Sequence, residues 1–153
     1  MNYVDARSFE VANRRLLSRA LGIDPRFIVL VVYGIKESTT TYNETIIAER
    51  RIVDDSFYSI TKQLCAVGFD GWSIDSSGSL CKYTNAIHES SSGSFPIHEF
   101  LEYLPESRGI FKTLELGCCS TYSHHTLGTR CLCCILLCNS LDQIPKSVVN
   151  YSM

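Results

Sequence analysis

At 153 residues, 45% of them hydrophobic and 20% charged, the chain is long enough to bury one core without staples and too apolar for disorder. A formal net charge of -2 excludes the basic excess that a surface built for a phosphate backbone usually carries. The longest apolar run, Cys131 to Cys138, is far too short for a membrane-spanning helix.

The segment MNYVDARSFEVANRRLLSRAL alternates charged and apolar residues, so no secretory signal is expected there. The eight cysteines are therefore expected as reduced thiols of a cytoplasmic protein. Phe9, Ala12, Leu16 and Ala20 recur at three- and four-residue intervals, which predicts a helix over 5–21. Asp5 would cap it, Gly22 would take the left-handed position after it, and Pro25 would block its continuation. FIVLVVYGI at 27–35 is β-branched and apolar on both faces and predicts a central strand. ETIIAERRIV at 44–53 reads as a second strand, and Phe57, Ile60, Leu64 and Val67 as the stripe of a helix over 56–67.

A hairpin is expected at 71–76 and 80–87, turning at Asp75 to Gly78, followed by a serine-rich loop at Ser90 to Ser94. Pro96 opens a third helix over 96–104, and Pro105 ends it. Strands at 110–117 and 130–138 follow. The expected fold is α+β: three helix-strand-strand units forming a largely antiparallel sheet with the helices on one face. Residues 1–140 would form a single globular domain and 141–153 a C-terminal tail. Phe27, Val29, Val31, Leu64, Phe100, Leu114, Ile135 and Leu137 are the expected core.

GCCSTYSHHTLGTRCLCCILLC, from Gly117 to Cys138, holds six of the eight cysteines and two of the four histidines. As structure, it predicts that 114–119 and 130–138 pair as a buried hairpin with cysteine as a small apolar residue. Cys131, Cys133, Ile135 and Leu137 would then fill one face, and Leu132, Cys134, Leu136 and Cys138 the other. No cofactor is expected. Zinc is the alternative: one of Cys118 or Cys119, one of His124 or His125, and Cys131 with Cys133, represented by Cys119, His125, Cys131 and Cys133. The spacing is not that of a standard finger or ribbon.

A thiol enzyme would need a thiolate beside an imidazole, and Cys119 or Cys118 with His125 or His124 could supply that pair. No nucleophile elbow surrounds them, and no Walker loop, GxGxxG or His-Glu-x-x-His occurs in the chain. Arg7, Arg14, Arg15 and Arg19 on the first helix, with Arg26 beyond, form a basic face that Asp5, Glu10 and Asp24 dilute. In style, as a compact cysteine-rich chain without standard motifs, it is similar to small viral accessory proteins. The resulting expectation is a non-enzymatic regulatory or accessory protein acting through a protein partner. Its rivals are a Cys/His enzyme and an RNA-binding protein using the arginine-rich helix.

Overall fold

The computed structural model describes residues 3, 5–12, 14–84, 87–102, 104–117, 119–145 and 148. Strand β1 is Asp5–Glu10, helix α1 Arg14–Leu21, β2 Phe27–Gly34 and α2 Glu44–Ala66. β3 is Gly71–Ile74, β4 Ser79–Thr84, β5 Ile87–Ser94 and α3 Ile97–Glu102. β6 is Phe111–Glu115, β7 Ser120–His124 and β8 Cys131–Cys138. Six strands form one antiparallel sheet in the order β1-β2-β8-β3-β4-β5, and β6 and β7 form a second, two-stranded sheet. The architecture is mixed α+β and mostly sheet.

β8 lies at the centre because its sequence has nothing to show to water. All eight of its residues are buried, and side chains alternate across the sheet. Cys131, Cys133, Ile135 and Leu137 enter a core with Leu17 of α1, Ile97, Phe100 and Leu101 of α3, Phe111 and Tyr122. Leu132, Cys134, Leu136 and Cys138 enter a second core with Ile46, Val53, Phe57 and Leu64 of α2. The expected division of β8 between two faces is therefore correct. The helices are not on one face, however: α2 covers one side, while α1 and α3 cover the other. A sheet whose neighbouring interior strands β2 and β8 are buried on both faces needs cover on both sides.

The partners of β8 also differ from the expected hairpin. β8 pairs along its whole length with β2, from Phe27 opposite Cys138 to Gly34 opposite Cys131, while β6 pairs with β7. On its other side β3 reaches only from Ile135 to Cys138. Beyond that short strand, the backbone N–H of Cys133 donates instead to the Tyr122 hydroxyl at 2.9 Å. The small sheet thus supplies a hydrogen bond in the part of β8 that β3 does not reach. Close approach of β3 also requires Gly71, where any Cβ would collide with the Leu137 carbonyl.

Three local expectations are corrected. Asp5–Glu10 is a strand, paired from Asp5 opposite Val32 to Glu10 opposite Phe27, so the first helix is only Arg14–Leu21. Ladder bonds to β2 and burial of Ala6 outweigh the weak helical stripe. Residues 44–53 are not a strand but the first half of α2. Asn43 caps this helix by accepting from the Ile46 N–H at 3.0 Å, and Ile46, Glu49, Val53, Phe57 and Leu64 are buried at helical spacing. With that strand gone, the three-unit repeat dissolves. Ser90 to Ser94, expected as a loop, belongs to β5.

Of the expected core, Val29, Val31, Leu64, Phe100, Ile135 and Leu137 are buried, whereas Phe27 and Leu114 are half-buried. Gly22 takes its expected left-handed position, at φ 69°. After β8, Ile144 and Val148 are buried within the second core.

Candidate functional site

Four of the cysteines, Cys131, Cys133, Cys134 and Cys138, are fully buried on β8. Burial pushes the Cys131 thiol up to about 12 and that of Cys138 to about 11, and drives those of Cys133 and Cys134 well above the usual value. These groups are protonated packing residues near neutral pH. Cys119 is exposed at the β6–β7 turn, where its carbonyl accepts from the Leu116 N–H at 2.9 Å. Cys118 lies outside the described residues.

His125 is exposed at the far end of β7, and its N–H donates to the Ile110 carbonyl at 2.8 Å. Between Cys119 and His125 the chain is extended, so at about 3.3 Å per residue the two stand roughly 20 Å apart along the strand. The thiol–imidazole pair is not brought together.

What the fold does gather is Asp5, His124 and His125. Among the described residues this is the one group of three or more His, Cys, Asp or Glu side chains whose ligand atoms all lie within 4.8 Å of one another. Cys119, Cys131 and Cys133 are not in it. His124 Nε2 lies 3.1 Å from Asp5 Oδ2, and both side chains are buried. His124 Nδ1 accepts from the backbone N–H groups of Thr126 and Leu127, at 3.2 and 3.3 Å. The Thr126 hydroxyl is 3.1 Å from the same atom.

A backbone amide can only donate, so Nδ1 carries the lone pair and Nε2 the proton. The Nε2–H therefore donates to Asp5, whose other oxygen accepts from Arg7 Nε at 3.1 Å. Burial holds His124 below the usual histidine range, and His125 and Arg7 act in the same direction against the pull of Asp5. His124 is neutral at pH 7. To ligate a metal through Nε2 it would have to move its proton to Nδ1 and point it at two N–H donors. The arrangement is better suited to tying β7 to β1 than to holding an ion. His125, whose ring centroid lies 4.4 Å from that of His124 with the planes tilted by 37°, is the exposed member.

The predicted basic face is divided. Arg7 belongs to β1 and pairs with Asp5, Arg14 pairs with Asp24 through two nitrogens at 3.1 and 3.0 Å, and Arg26 lies 3.6 Å from Glu10. Arg15 and Arg19 remain exposed on α1. Three of the five cations thus have a carboxylate beside them, which weakens the local field available to a phosphate backbone.

No protein-family model matches the chain, and no curated protein matches it. Among the described residues, no helix is long and apolar enough to cross a membrane. The Asp5–His124 contact was not legible in the sequence: the residues are 119 positions apart, and Asp5 read as a helix cap. Arg50 on α2 and His98 on α3 share a cleft; Arg50 lay in a segment read as strand, and His98 in the opening turn of the third helix read as a solvated surface residue.

Proposed function

We propose that this protein is a non-enzymatic regulatory or accessory protein that binds a protein partner, and that the partner adds an extended segment along the outer side of β5. The observation carrying this reading is the contrast between the two ends of the six-stranded sheet. β1 has three charged residues in six, Asp5, Arg7 and Glu10, of the kind that discourages pairing with another strand. β5, IHESSSGS, has eight residues, one charged side chain, no lysine and no proline. Its pairing with β4 is regular from Cys81 opposite Ser90 to Thr84 opposite Ile87. The register shifts between Ser90 and Ser94, so the regular edge is the stretch 87–90. An edge with one charged residue and no lysine or proline suits strand addition, in which backbone hydrogen bonds carry the affinity. The protonated thiols of β8 and the separation of Cys119 from His125 favour binding over thiol chemistry.

The test uses Glu89→Pro and Ser90→Pro. Neighbouring N–H groups of a strand point alternately toward β4 and away from it, so one variant removes only an outward donor. That variant should melt like the unaltered protein yet lose the partner captured from the native cell. In the captured complex, the outward amides of β5 should exchange hydrogen more slowly than in the free protein. A partner retained by both proline variants, or β5 exchange unchanged by capture, overturns the reading.

A further inference from the structure

A second place in the molecule has the chemistry of a ligand site. α2, the β3–β4 turn, the start of α3 and β7 enclose a cleft of about 370 Å³. Arg50 and His98 line it, together with the hydroxyl residues Thr39, Ser77, Ser120 and Thr121, and no carboxylate residue does. Arg50 is half-buried and takes part in none of the ion pairs among the described residues. Its Nη1 donates to the Ser76 carbonyl at 2.6 Å, which fixes the guanidinium.

The nearby carboxylate of Asp54, on which the Arg50 charge acts, makes its hydrogen bonds elsewhere. It accepts from the N–H and hydroxyl of Ser76 at 3.0 and 2.6 Å, and lines a different cleft with Asp55 and Asp75. Ser76 therefore stands between an acidic cleft and a basic one.

The remaining hydroxyls divide into donors and acceptors. Thr39 and Thr121 share one hydrogen bond at 2.8 Å, so one of their two protons is left to give. Ser77 and Ser120 have donated theirs to Asp75 and Glu115, at 2.6 and 2.8 Å, and offer only lone pairs. Arg50, the His98 ring and one threonine hydroxyl thus supply donors from three elements, which suits the several oxygens of a tetrahedral oxyanion. The two serine oxygens can accept from hydroxyl groups on the body that carries it. The volume is near the small end of the usual range of about 300–1,000 Å³ for ligand clefts, matching a phosphorylated sugar rather than a dinucleotide.

We propose that this cleft binds a small phosphate monoester on a hydroxylated body, of the sugar-phosphate class, with Arg50 and His98 holding the phosphate. The site is independent of the β5 edge, so either reading can fail alone.

Titration with ribose 5-phosphate, inorganic phosphate and ribose, followed by backbone amide NMR and calorimetry, tests it. Ribose 5-phosphate should saturate and shift the amides of Thr39, Ser77 and Thr121. Inorganic phosphate should bind about tenfold more weakly, and ribose should not bind. Arg50→Gln should lower the affinity for ribose 5-phosphate about tenfold or more. His98→Gln, which leaves the Arg50–Ser76 contact in place, should lower it about threefold. Arg15→Gln on α1 should leave it unchanged. Absence of saturation by both phosphate probes, or equal affinities in the unaltered protein, Arg50→Gln and His98→Gln, overturns the proposal.

Discussion

β7 and β8 follow one another in the chain and are buried by different means. β8 is apolar on both faces, and its cysteines behave as small hydrophobes between two cores. β7 is held by individually matched polar groups. Thr121 bonds Thr39, the Tyr122 hydroxyl accepts from the Cys133 N–H, and His124 donates to Asp5. The comparison separates residue type from residue role. A cysteine on β8 is inert because burial keeps its proton on, whereas the histidine on β7 is specified by its hydrogen bonds down to the tautomer.

The largest effect that would sharpen this contrast is expected on β8. Cys134→Ser places a hydroxyl in a fully buried strand, where the Ser76 backbone is the hydrogen-bonding group beside the side chain, and should cost about 1–3 kcal/mol in denaturant unfolding, with Cys134→Ala or Val milder. Thiol reagents should label Cys133 and Cys134 slowly in the folded protein and quickly in denaturant. A neutral Cys134→Ser would mean that the Ser76 backbone satisfies the new hydroxyl as fully as water does.

On β7 the expected effect is confined to acid. His124 is held below its usual value of 6.5 by burial, so between its folded and unfolded values the unfolded chain binds more protons. The stability gained from keeping it neutral is whole above about pH 6.5 and is lost as pH falls toward the folded value. A proton added to Nδ1 would face the Thr126 and Leu127 N–H groups. Melting temperature measured from pH 8 to pH 5 should fall at the acid end, and His124→Gln should flatten that fall. A pH profile identical in the variant would locate the titration elsewhere.

The smallest effect is expected at Cys119, exposed just before β7. Cys119→Ser should change stability by less than about 0.5 kcal/mol, and its thiol should react with reagents in the folded protein far faster than those of β8. Slow labelling of Cys119 would show that the turn is covered, and would break the contrast between exposed and buried thiols.

The sequence by itself determined two interior strands, β2 and β8. FIVLVVYG and CLCCILLC have no polar face to expose, so two-sided burial follows from composition alone, as does the assignment of alternate β8 residues to opposite cores. It also determined α3, the hairpin of β3 and β4 and the left-handed glycine after α1, because turn and breaker residues act locally. Some misreadings were local as well. Ile46, Val53, Phe57 and Leu64 already carried one continuous helical period, which reading 44–53 as a strand interrupted. Tertiary structure alone decided the rest. Pairing partners are chosen by long-range fit, so β8 joins β2 and β3 rather than the nearest segment in sequence. Asp5 and Arg50 took their roles from the elements folded against them. Their partners, His124 and the Ser76 carbonyl, lie 119 and 26 residues away, at separations that carry no periodic signal.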